Sequence, residues 1–172
     1  MNGSAIARGV LGAALAAAWL VTATTPARAD DPAFIVGEIG HFDFFDNVES
    51  TSFNLEYRSN YKLWFLKPFG GLMVNTDKAV YGYGGLLVDI YFGKRWVLTG
   101  NTAIGAYSHG DSKELGSVLE FRSGLEFAFR FDNRARLGVG IHHLSNAGIG
   151  SQNPGTEILS VIFSWPLGRG SN

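Results

Sequence analysis

The sequence predicts an all-β chain closed as an eight-stranded antiparallel transmembrane β-barrel of the outer-membrane type, and three observations carry that expectation. No run after residue 30 resembles a long amphipathic helix. The same region divides into an even number of extended runs, each near the roughly 9 to 11 residues that cross a bilayer when tilted. Several of these runs set a greasy face against an ionic one.

The runs fall at about 33–43, 51–59, 63–75, 79–92, 95–107, 116–130, 134–145 and 156–167. Connections at Asn60-Tyr61-Lys62, Gly93-Lys94 and Phe131-Asp132-Asn133 are tight, whereas His109 to Leu115 and Ala147 to Gly155 are longer. Short periplasmic turns and longer outer loops alternate in this way, with Thr76-Asp77-Lys78 a short exception. In the sixth run Leu119, Phe121, Leu125, Phe127 and Phe129 share one face with Ser123, opposite Glu120, Arg122, Glu126 and Arg130. The second run repeats the pattern, with Phe53, Leu55 and Tyr57 opposite Asn54, Glu56 and Arg58. In the third run Trp64, Phe65 and Leu66 are consecutive and Lys67-Pro68 interrupts the ladder, which predicts a bulge or break.

A soluble barrel with the greasy faces inward, holding a ligand as lipocalins do, is the alternative architecture. Volume favours the membrane form. Eight strands enclose an interior too narrow for a channel, where Glu56, Arg58, Asp89, Glu120, Arg122, Glu126, Arg130, Arg134 and Arg136 can pair. Phe42, Phe44, Phe45, Trp64, Tyr81, Tyr83, Trp96 and Trp165 lie mostly near run ends, where interfacial aromatic girdles sit.

Composition narrows function. The chain has 172 residues, no cysteine, and 14 basic against 15 acidic residues for a net charge of -1. There is no thiolate metal site and no basic block that would track a phosphate backbone, so nucleic acid is not an expected partner. The glycine tracts Tyr83-Gly84-Gly85 and Gly138-Val139-Gly140 lack the following helix of a nucleotide loop and read as strand glycines. Residues 1–29 read as a secretory signal peptide: a single Arg8, a small apolar run from Gly9 to Ala23, and the cleavage pattern Ala27-Arg28-Ala29. Residues 30–172 then form one barrel domain.

The candidate chemistry lies in His143-Leu144-Ser145-Asn146 and in Glu157, fourteen positions after His143. His143 and Ser145 share a strand face with Leu137, Val139 and Ile141, and Glu157 shares one with Leu159, Val161, Phe163 and Trp165. Three hydrogen-bonding groups thus fall on the lipid-facing side of neighbouring strands, an expensive placement that marks a functional site. His142 points the other way, into the lumen, and His41 and His109 are distant in sequence.

This pattern, His-x-Ser-Asn followed by Glu on the next strand of an eight-stranded chain, resembles the lipid A 3-O-deacylase family, often called PagL. The resemblance implies hydrolysis of the acyl ester at position 3 of lipid A, with Ser145 as nucleophile, His143 as general base, Glu157 as orienting acid, and Asn146 and Gly148 as oxyanion or substrate-binding donors. It implies no metal and no cofactor. Lipid A or lipopolysaccharide and the surrounding lipids of a Gram-negative outer membrane are the expected partners of a multi-pass protein, and a homodimer is left open. The tail after Trp165-Pro166-Leu167 departs from the family by running on through Gly-Arg-Gly-Ser-Asn. A structural or adhesive barrel without catalysis is the alternative function.

Overall fold

A computed structural model of the chain describes residues 27–28, 31–46 and 50–168. The leader expected over residues 1–29 lies outside these apart from Ala27–Arg28, which pairs with Tyr61–Lys62 in a small two-stranded sheet. The C-terminal extension beyond residue 168 lies outside them as well.

The remaining strands close into one antiparallel barrel. They are β1 (Ala33–Phe42), β2 (Ser50–Arg58), β3 (Lys67–Asn75), β4 (Val80–Phe92), β5 (Trp96–Ser108), β6 (Leu119–Arg130), β7 (Arg136–Ser145) and β8 (Thr156–Leu167). Each pairs with its sequence neighbours, and β8 pairs with β1 to remove the last free edge. The connections around 43–46, 76–79, 109–118 and 146–155 gather at one end, the loop end; those around 59–66, 93–95 and 131–135 gather at the other, the turn end.

Alternation has the membrane sense. Leu55, Leu125, Val139 and Val161 are each more than half exposed, while Glu56, Glu126, Arg58 and Arg122 are buried. A soluble barrel would invert this, so the greasy-inside alternative is overturned.

The lumen is filled by a charge network. Arg58 donates two parallel bonds to Glu126, at 2.8 and 2.9 Å, and a third from Nε to Glu56 at 2.8 Å. Asn101 donates to Glu126, Arg122 donates to Asn101, and the Tyr83 hydroxyl donates to Glu56. Glu38 sits among Arg58, Arg122 and His142 at 3.4 to 3.8 Å. Nearer the turn end Asp89 pairs with Lys67 and Arg136, and Asp31 pairs with Arg136 and Arg130. His142 reaches this layer because Gly124 faces it; a Cβ on Gly124 would stand 2.1 Å from His142 Nδ1.

Three expectations change. Glu120 is buried, but its carboxylate oxygens have no hydrogen-bond partner among the described residues, because it lies at the level of Tyr81, whose hydroxyl donates to the Glu120 carbonyl. Arg134 lies in the 131–135 turn with φ of 68°, and Ala135, placed outward by parity, is buried there because the strand begins one residue later. Phe42, Tyr81 and Tyr83 point inward, whereas Trp96, Phe127 and Trp165 do face outward, with Trp96 stacked on Phe127 at 5.0 Å. The expected break in the third run is a tight turn, in which Leu63 and Leu66 exchange backbone bonds around Trp64 at φ of 64°. That turn delays β3 to Lys67.

Replacing Arg58 with Met leaves Glu56 and Glu126 buried without their main cation, and one-sided removal of a buried pair costs about 3 to 5 kcal/mol. The expected result is a large fall in the denaturant midpoint of heat-modifiable barrel migration in detergent, with Glu126→Gln partly restoring it.

Candidate active site

The site is built on the β7–β8 hairpin. The ladder pairs His143 with Glu157, so both side chains leave the same face of adjacent strands. His143 Nδ1 lies 2.9 Å from Glu157 Oε1. The imidazole is about half exposed and the carboxylate less so, both on the outward apolar side near the loop end. Ser145 is two residues further along the same face, with Phe121 as its partner on β6. Its hydroxyl makes no hydrogen bond among the described residues.

Gly155 seats the imidazole. It has φ of 64°, and a Cβ there would lie 2.9 Å from His143 Cε1 and 3.6 Å from Nε2. A side chain at this position would both strain the backbone and strike the ring.

Asn146 and Gly148 are committed elsewhere. Asn146 is fully buried and its side-chain amide donates to the carbonyls of Leu115, at 2.8 Å, and Gln152, at 2.7 Å. Its backbone N–H donates to Asn153 Oδ1, and the Gly148 N–H donates to Asn146 Oδ1. Asn146 is therefore a knot that ties the 146–155 loop to the 109–118 loop, and both donors are occupied in this arrangement. The Ala147 N–H, between them, has no partner among the described residues.

A second knot was invisible in the sequence. Asp43, fully buried at φ of 63°, accepts from Lys113 Nζ at 2.6 Å and from the Thr156 hydroxyl at 2.9 Å, and the Phe44 N–H donates to the carbonyl of Glu157 itself. Burial disfavours the Lys113 ammonium, but its hydrogen bonds to Asp43 and Asp46 outweigh that and raise its pKa above the ordinary value. Three loops thus clamp the start of β8. Aspartate, lysine and threonine so far apart in sequence carried no spacing signal.

His41 also faces outward, paired with Leu159 and edge-on to Phe44, whereas His109 is exposed in its loop. In the lumen Glu38, Glu126 and His142 bring three potential metal-ligating atoms within 4.8 Å of one another. Arg58 already holds Glu126 there and Arg122 lies 3.6 Å from Glu38, so an ion would have to displace guanidinium groups. A cavity of about 450 Å³ lined by Asp31, Lys62, Trp64, Lys67, Asp89 and Arg130 opens at the turn end, away from His143.

Against this geometry, the model of the family described as lipid A 3-O-deacylase (PagL) matches residues 47–166. The chain belongs to that family. A comparison with curated proteins finds no match. Among solved structures the chain is similar to the crystal structure of the outer membrane enzyme PagL, with TM-score 0.64 at 17% identity over 78% of this chain and 99% of that one. It is also similar to a de novo designed transmembrane β-barrel, with TM-score 0.58 at 8% identity over 83% of this chain and 100% of the other. At these identities the structures speak for the fold, a closed outer-membrane barrel, and the family match carries the assignment to lipid A deacylases.

Replacing Asn146 with Ala should leave the Leu115 and Gln152 carbonyls unpaired, at about 1 to 3 kcal/mol for each buried group. Hydrogen exchange should rise across 109–118 and 146–155 and stay unchanged at the turn end; equal exchange at both ends would contradict the knot.

Proposed function

We propose that this member of the PagL family is a lipid A 3-O-deacylase acting through Ser145, His143 and Glu157. The observation that carries the reading is the 2.9 Å contact of His143 with Glu157 on the outward face. A carboxyl group and an imidazole set toward hydrocarbon are costly, and here they hold each other beside a serine whose hydroxyl has no partner among the described residues.

With Nδ1–H donating to Glu157, the His143 ring presents the lone pair of Nε2 to the Ser145 hydroxyl. Nε2 takes the proton as Oγ attacks the ester carbonyl, and returns it to the sugar oxygen when the carbon–oxygen ester bond breaks. Water then attacks the acyl-serine, again losing its proton to Nε2, and the fatty acid leaves as Ser145 is restored. The oxyanion forms beside the 146–148 loop, where the Ala147 N–H is the donor at hand; Asn146 and Gly148 hold that loop in shape.

In this reading the loop end faces the exterior of a Gram-negative cell, residues 1–29 are removed on export, and lipid A enters from the membrane's outer leaflet. The protein need not open a path into its interior.

Mass spectrometry of lipid A from cells producing the protein should show loss of one ester-linked acyl chain. Ser145→Ala and His143→Ala should each lower turnover by about 10⁴-fold or more, and Glu157→Gln by less, with heat-modifiable migration intact. An unchanged lipid A profile with the intact protein would instead support a barrel without catalysis. Gly155→Ala should lower kcat by at least about tenfold by displacing the imidazole, while leaving the barrel folded; wild-type kcat in that variant would remove its seating role.

A further inference from the structure

We infer that the turn-end cavity seats the phosphate headgroup of an anionic phospholipid from the inner leaflet, with the acyl chains leaving over the adjoining outer wall. The inference goes beyond the deacylase reading and shares with it only the orientation of the barrel, loop end outward.

The charges single out this cavity. Among the lysines and arginines whose side chains are described, all but two have an ion pair or another partner; the two without one are Lys62 and Lys94. Both line the same cavity of about 450 Å³, a volume within the roughly 300 to 1,000 Å³ of small-ligand sites. They arrive from separate connections, Lys62 from the 59–66 turn and Lys94 from the 93–95 turn, where Gly93 takes φ of 65°. The floor beneath them is already rich in cations. Lys67, Arg130 and Arg136 share Asp31 and Asp89, so with the two rim lysines five cations meet two carboxylates. Arg130 is held loosely: it reaches Asp31 at 3.3 Å, and its Nε is buried without a hydrogen-bond partner among the described residues. An excess of positive charge converging on a cleft of this size is complemented by a phosphate group.

The shape of the wall assigns that phosphate to a lipid. β3 begins only at Lys67, paired with Leu87, whereas β4 runs on to Phe92. Residues 88–92 of β4 are therefore paired with β5 alone. The cavity is lined both by Asp89, which faces the lumen, and by its neighbour Val88, which the strand period turns outward. It touches the two faces of β4 and so opens sideways, through the notch that the missing length of β3 leaves. Outside the notch the surface is apolar. Trp64 is 80% exposed and packs on Phe65 at 4.4 Å between ring centroids, with Ile90 and Phe92 exposed on β4. Short connections face the periplasm, so this aromatic ledge stands at the inner interface, where tryptophan is favoured. A free phosphate would use the basic cleft alone; a phospholipid uses the cleft for its headgroup and the ledge for its chains.

The test uses the full-length mature protein in a mild detergent, with bound molecules counted by native mass spectrometry. The probes are phosphatidylglycerol, phosphatidylcholine with the same chains, and chain-free glycerophosphoglycerol. The wild type should take up one phosphatidylglycerol in preference to phosphatidylcholine. Lys62→Gln combined with Lys94→Gln should raise the Kd for phosphatidylglycerol by about thirtyfold, since each basic residue beside an anionic lipid surface contributes about fivefold. Lys78→Gln, at the loop end, should leave that Kd unchanged. Equal uptake of the two lipids by the wild type, or wild-type affinity for phosphatidylglycerol in the double variant, overturns the inference. Displacement of phosphatidylglycerol by an equal concentration of glycerophosphoglycerol also overturns it and marks a soluble phosphate site instead. Both lysines lie outside the ion-pair network, so the double variant should keep heat-modifiable migration; if it does not fold, the wild-type comparison of the two lipids decides. Failure of any of these outcomes leaves the lipid A assay, and with it the deacylase reading, untouched.

Discussion

The forked pairing of Arg58 with Glu126 is the interaction on which the rest of the barrel depends. A closed sheet in a bilayer must present apolar side chains to lipid, and with a period of two the opposite face is forced inward. An eight-stranded interior has no room for bulk water around that polar face. Its charges must therefore neutralise one another, and the arginine fork, Glu56, Asn101 and Arg122 do so as a single network. The outward face is released from any packing task, which lets it carry chemistry.

Two layers support the site from different directions. Below it the lumen network fixes the strands, with His142 buried beside it, 3.4 Å from Glu38, and its neighbour His143 turned to the opposite side by the strand period. Above it Asn146 and Asp43 knot three loops around the first residues of β8. The His143 imidazole is thus held by sheet geometry, and the loop that follows Ser145 by the hydrogen bonds of Asn146.

Most of the barrel was legible because alternation is a direct physical consequence of a two-sided environment. Leu125 and Glu126 could be assigned to opposite sides from parity alone, and the limits of β8 were recovered at 156 and 167. The lumen partners Glu38, Asp31 and Lys67 escaped notice because pairing across a barrel depends on stagger, which one sequence does not display. Aromatic identity also misled: Tyr81 and Tyr83 lie near a strand end as girdle residues do, yet their parity puts them inside, where hydroxyl partners exist. The shared outward face of His143, Ser145 and Glu157 was readable from spacing and parity. Asn146 was found by the family pattern, but its hydrogen bonds show a scaffold where a donor to substrate had been expected.

The place of Glu157 on β8 ties chemistry to assembly. β8 is the last strand of the barrel, and the residue that orients His143 accepts a backbone bond from Phe44, just past β1. The strand that seals the cylinder against β1 is therefore also the strand whose other edge sets Glu157 beside His143. An immature cylinder with an undocked final strand would carry serine and imidazole but lack their carboxylate and its bracing. In the proposed reading, the completed wall is what sets the carboxylate beside the imidazole.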